Sequence, residues 1–330
     1  MLIPSPSFAT TCPPMTRRGI VLGGGGVLGG TWAVGALCAL EERLGMRAND
    51  ADVIVGTSAG SVIASMLGCG VTPTQLKQHY RGEQITEGPL TGYEWDPGTA
   101  TGGPRPTRPR ALAPGSLKLI GQSVLHPGQL PATAVLSAFL PTGGRSLGKV
   151  GELVDAVTDG GQWTTHPGTW VVAMDYETGK RVVFGRSGAP VAKLSDAVMA
   201  SCAIPGWFSP VRIGSHTYVD GGTISATSID VVAYAGLDEV YVVAPMVSFE
   251  HDHPTTVAAK LERKWREQVT KAAVAEVAEV ERTGARVYLV GPGPQDLEAM
   301  GGNLMDATRL DDVLETSLRT SSAVWSELLD

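Results

Sequence analysis

The chain has 330 residues, 43% of them hydrophobic and 18% charged, with a formal net charge of −7. That length can bury the core of one large α/β domain, and the negative balance excludes the basic field that nucleic acid or strong adhesion to an anionic membrane requires. Cys12, Cys38, Cys69 and Cys202 lie far apart without C-x-x-C or Cys/His metal spacing, and they read as reduced structural thiols.

No stretch approaches about 18 consecutive apolar residues, so nothing is expected to span a bilayer and the protein is expected to be soluble and cytoplasmic. Residues 1–14 hold Pro, Ser and Thr without a cationic start and an apolar core, which fails as a secretory signal. Residues 1–15 are therefore expected to be a flexible extension, with the folded domain spanning 16–330.

In chain order, 19–22 reads as a buried strand and runs into Gly23-Gly24-Gly25-Gly26-Val27-Leu28-Gly29. A helix is expected over 29–44, then a second buried strand over 52–55 and a short apolar helix over 58–67. Between the last two lies Gly56-Thr57-Ser58-Ala59-Gly60. Strand, glycine turn and helix, twice over, is the rhythm of a parallel sheet. From about 82 to 148 the chain is an insertion rich in Pro and Gly in which only 132–140 reads as helical; an active-site cover and a disordered surface loop are equally open readings. Strands resume at 170–174 and 181–184, joined by a hairpin turn at 177–180. A helix over 194–201 and strand-like pieces over 205–219 follow. The strand at 238–243 reads as preceded by a helix. Residues 257–283 read as the longest helix, with Val257, Leu261, Trp265, Val269, Ala273, Val277 and Val280 as a core-packing stripe. A strand at 286–290 and a terminal helix over 311–329 complete the chain.

A G-x-S-x-G pentapeptide is weak evidence alone, and this chain supplies its own control. Gly144-Arg145-Ser146-Leu147-Gly148 also fits, yet Pro141-Thr142-Gly143 precedes it, so Ser146 reads as a loop residue. Ser58 follows Val53-Ile54-Val55 and opens an apolar helix whose N-terminal dipole favours negative charge, which is the setting of a nucleophile on a strand-to-helix elbow. The earlier glycine loop can offer amides to the oxyanion formed when Ser58 attacks an ester. Its Gly24-Gly25-Gly26-Val27-Leu28-Gly29 also satisfies G-x-G-x-x-G, but the acidic residue that a dinucleotide site wants at the end of the second strand is replaced by Gly56-Thr57-Ser58.

None of the six histidines, His79, His126, His166, His216, His251 and His253, has the setting of a base, and His216 is only an outside candidate. Asp220 is the stronger one: in Tyr218-Val219-Asp220-Gly221-Gly222 an apolar strand delivers a carboxylate to an open glycine turn.

GGGGVLG, GTSAG and DGG, in that order, resemble the patatin-like phospholipase family, as does Ala200-Ser201-Cys202-Ala203-Ile204-Pro205-Gly206-Trp207-Phe208-Ser209-Pro210 before the aspartate. The resemblance covers about residues 18–243. It implies a three-layer α/β fold with a mostly parallel central sheet flanked by helices, and lipid acyl hydrolysis by a Ser/Asp dyad without histidine. By position, Ser58 is then the nucleophile, Asp220 the base, and Gly24, Gly25 and Gly26 with Ala59 the oxyanion hole. The implied partner is a lipid or other acyl ester reached by transient contact with a membrane surface; no nucleic acid, metal or cofactor is called for, and oligomeric state is not readable. Two departures stand out: Leu28 replaces the family's usual Arg or Lys, and Thr223 to Asp230 lacks the usual Asn-x-Pro. A non-catalytic lipid-binding protein of the same fold, and an acyltransferase using the same dyad, are the alternatives.

Overall fold

The computed structural model describes residues 16–93, 105–107 and 113–330, apart from positions 127, 129, 159 and 251. The expected N-terminal extension, Cys12 and His251 lie outside the described residues, as do residues 94–104 and 108–112 of the Pro/Gly-rich insertion.

Runs of β-branched residues form eight strands: β1 Arg18–Leu22, β2 Val53–Thr57, β3 Thr169–Asp175, β4 Arg181–Phe184, β5 Val211–Ile213, β6 His216–Asp220, β7 Glu239–Val243 and β8 Arg286–Val290. They make one sheet in the order β5-β6-β3-β2-β1-β7-β8, with β4 also paired to β3. The pairs β1–β2, β1–β7, β2–β3 and β7–β8 are parallel, while β4 and β6 run antiparallel to β3. Parallel strands are covered on both faces, so their residues are apolar in both directions of the pleat. Ile20, Leu22, Ile54, Tyr241 and Val243 pack into one core, while Val21, Val53, Val55, Val240 and Val242 point into a second.

The first core lies under helices α1 Gly26–Leu44, α2 Ala59–Gly68, α6 Gly148–Val157, α7 Leu194–Ser201 and α10 Leu310–Leu329. The second lies under α8 Val257–Glu281 and a short turn at Ile229–Val232. Three layers result. The remaining helices are α3 Pro73–Tyr80, α4 Leu117–Leu125, α5 Ala132–Phe139 and α9 Pro294–Met300. Among the described residues no helix is long and apolar enough to cross a membrane.

Three expectations are corrected. Only the short turn at Ile229–Val232, not a full helix, precedes β7. Part of the insertion forms α4, which its composition does not announce. The stripe on α8 divides: Val269, Ala273 and Val280 are buried, but Val257 and Leu261 are 74% and 65% exposed and Trp265 is 44% exposed. The first turns of α8 are instead anchored by polar residues. Arg263 pairs with Asp252 at 2.8 Å, and the buried Arg266 pairs with Glu262 at 2.7 Å and donates to the carbonyl of Pro245. The apolar side of the helix therefore meets the sheet only from Val269 onward.

Helices α1 and α10 form a large interface. The Ser317 hydroxyl donates to the Trp32 carbonyl at 2.6 Å, and the fully buried indole of Trp325 donates to the Ala36 carbonyl at 2.9 Å. Truncating that indole leaves a cavity and an unpaired carbonyl, so Trp325→Ala is expected to cost about 3–5 kcal/mol in urea unfolding. The half-exposed Leu328 on the same helix is the control, where alanine should cost under about 1 kcal/mol.

Candidate active site

β2 ends at Thr57, and the chain turns through Ser58 into α2. Ser58 has φ 53° and ψ −127°, a conformation that side chains rarely adopt and that costs on the order of 1–3 kcal/mol. The flanking glycines make the turn sterically feasible: a Cβ on Gly56 would lie 2.3 Å from the Gly60 carbonyl oxygen, and one on Gly60 would lie 2.2 Å from the Leu22 carbonyl oxygen. The strained amide of Ser58 is held by the Ser201 hydroxyl, which accepts its N–H at 2.9 Å and donates to the Val172 carbonyl at 2.6 Å.

Asp220 ends β6. Its Oδ2 accepts the Ser58 hydroxyl at 2.7 Å and its Oδ1 accepts the Gly222 N–H at 2.7 Å. The two side chains sit together because both strands pair with β3: Thr57 lies opposite Val172 and Asp220 opposite Ala173. β2 runs with β3 and β6 against it, so their C-terminal ends converge on consecutive residues. Ser58 is 7% exposed and Asp220 4%. Burial pushes the Asp220 carboxyl up to about 7, and the hydrogen bonds from Gly222 and Ser58 offset only part of that rise.

The glycine loop faces this pair, since Gly24, Gly25, Gly26, Ser58 and Asp220 border one cavity of about 350 Å³. Their amides are not equivalent. Gly24 donates to the Ala226 carbonyl at 2.8 Å, so its N–H is committed to holding the loop, a correction to its expected place among the oxyanion donors. Gly25 and Gly26, where α1 begins, and Ala59, where α2 begins, have N–H groups with no hydrogen-bond partner among the described residues. Two helix N-termini therefore converge beside Ser58, an arrangement that favours a developing oxyanion.

The stretch from Thr223 to Asp230 is tied from behind. Glu276 on α8 accepts the Thr227 hydroxyl at 2.6 Å and the Ile229 N–H at 2.9 Å, and Asp230 pairs with Arg181. This turn carries the Ala226 carbonyl that fixes Gly24. Leu28 is fully buried in α1 and borders neither cavity at Ser58.

The other candidates lie elsewhere. Ser146 is exposed in the loop before α6, its hydroxyl accepting the Gly148 N–H at 3.1 Å. His216 bonds Asp175 at 2.9 Å, and His166 bonds the Ala51 carbonyl at 2.7 Å. Burial holds His79 down to about 4. None of the described histidines borders the cavities at Ser58. Sequence reasoning missed Ser201, Ala226 and Glu276 as positioning residues. A serine among small residues at the end of α7 is a usable signal for the first; nothing local marks the other two.

The patatin-like phospholipase family profile matches residues 20–92 and 117–233, over half the chain and including Ser58 and Asp220. Among solved structures, VipD from Legionella pneumophila is matched with a TM-score of 0.42 and 13% identity, covering 96% of this chain and 67% of VipD. On the strength of the family match, this chain belongs to the patatin-like phospholipases, a family of lipid acyl hydrolases.

Proposed function

We propose that this protein hydrolyses carboxylic esters through an acyl-enzyme on Ser58, with Asp220 as general base and the Gly25, Gly26 and Ala59 amides as the oxyanion hole. The observation that carries the reading is the 2.7 Å hydrogen bond between a strained, buried serine and a buried carboxylate.

In the first step Asp220 takes the Ser58 proton as Oγ attacks the ester carbonyl carbon, and the carbonyl oxygen becomes an oxyanion facing the three amides. Each such donor contributes on the order of 3 kcal/mol to lowering the barrier. Collapse expels the alkoxide, which leaves as the alcohol with the proton from Asp220. Water then attacks the acyl carbon while Asp220 accepts its proton, and the second collapse releases the acid and returns that proton to Ser58. A carboxylate that titrates near 7 is a far better proton acceptor than one near 4, so burial supplies the basicity that histidine supplies in other serine hydrolases.

Fluorophosphonate should label Ser58 stoichiometrically, and Ser58→Ala should lose labelling and lower ester turnover by about 10⁴-fold or more. The kcat/KM for a p-nitrophenyl ester should rise about tenfold per pH unit below 7 and level off above it, because only ionised Asp220 accepts the proton. Folded protein that neither binds the probe nor cleaves any ester refutes the reading.

A second prediction concerns stability. The folded protein binds a proton at Asp220 that the unfolded chain releases between about pH 4 and 7, so that contribution to stability is complete below pH 4 and is lost as pH rises through 7. By pH 8 the ionised carboxylate disfavours folding by roughly 4 kcal/mol. Asp220→Asn should therefore be inactive yet more resistant to urea at pH 8, with the gain vanishing by pH 4. Equal urea midpoints for the variant and the parent at pH 8 would refute that assignment.

A further inference from the structure

Ser58 stands where two unlike cavities meet. One, about 70 Å³, lies beside Ala59, Val62, Leu147, Val150 and Phe208. The other is the 350 Å³ cavity, bordered by Asp220, Leu136, Leu140, Met246 and Trp265. Asp220 borders only the larger cavity. In the reaction proposed above, on which this inference rests, Asp220 must protonate the departing oxygen. The alcohol therefore belongs in the larger cavity, and the acyl chain is left with the smaller one.

Size and charge then select the substrate. A cavity of about 150 Å³ holds one benzene ring, so 70 Å³ takes roughly half as many carbons beyond the ester carbonyl. Leu147, Val150 and Phe208 wall it and are themselves buried, so a longer chain must displace packed core. The polar groups there are few, and the Thr31 hydroxyl behind Tyr80 is spent on the Val27 carbonyl at 3.0 Å. Among the described residues that border the alcohol cavity, Asp220 is the only ionisable side chain and none is Lys, Arg or His. An anionic headgroup placed there would meet a carboxylate with no cation among the described lining residues to balance it.

We propose that this protein selects esters that join a short acyl group, about two to four carbons, to an uncharged alcohol. Leu147 and Val150 set the acyl limit, and the wall around Leu136, whose described residues include no cation, sets the preference for neutral alcohols.

The test measures kcat/KM of the full chain on p-nitrophenyl acetate, butyrate, octanoate and palmitate, and on phenyl butyrate against the butyrate ester of 4-hydroxybenzoate. Acetate or butyrate should lead, octanoate should fall at least tenfold below butyrate, and the carboxylated ester at least tenfold below its neutral counterpart. Val150→Ala, or Leu147→Ala if the first variant does not fold, should raise the octanoate-to-butyrate ratio. Leu136→Arg, at an exposed position, should narrow the gap between the neutral and carboxylated esters. Octanoate or palmitate turnover equal to butyrate, or equal use of both phenolic esters, overturns this selectivity while leaving Ser58 the nucleophile. Absence of both turnover and fluorophosphonate labelling overturns the hydrolase reading with it.

Discussion

The site depends on the register of β3. Val172 pairs with the last residue of β2 and Ala173 with the last residue of β6, so two strands running in opposite senses stop head to head and bring Ser58 and Asp220 within a hydrogen bond. The same place on β3 receives the Ser201 hydroxyl on the Val172 carbonyl, and a Cβ on Gly221 would lie 2.6 Å from that carbonyl oxygen. A slip of β6 by one residue would send the Asp220 side chain to the opposite face of the sheet.

Both members of the pair are held in states the local chain disfavours. Ser58 carries backbone strain, and Asp220 is a carboxylate in a dry setting. Neither is stabilised by its immediate neighbours alone. What holds them is the sheet, buried on both faces between helical layers, with the amide of Ser58 fastened to α7 through Ser201. The glycine loop is fastened likewise, one amide spent on Ala226 while the next two residues, Gly25 and Gly26, border the cavity with their own amides unbonded among the described residues.

Much of this was legible in the chain because local chemistry required it. Gly56 and Gly60 are needed where backbone passes within contact distance, and the β-branched runs before each glycine turn have the burial that a parallel strand demands. The Ser58 and Asp220 pairing could be carried only by resemblance, since 162 positions separate them and no periodicity links a parallel strand to a distant antiparallel one. The stripe on α8 failed as a guide for a different reason. Helical spacing reports which residues share a face, not where that face ends, and the first turns of α8 are anchored by Arg263 and Arg266 instead. The commitment of the Gly24 amide was equally invisible, because its acceptor, Ala226, presents only a backbone carbonyl.

Glu276 and Trp265 belong to one continuous helix, separated by about 16 Å of its length. The indole borders the 350 Å³ cavity, and three turns further along the carboxylate grips the turn whose carbonyl secures the first glycine loop. One rigid helix thus borders the cavity through one side chain and holds the turn behind the glycine loop through another, so the position of the wall and the position of the loop are set by the same element.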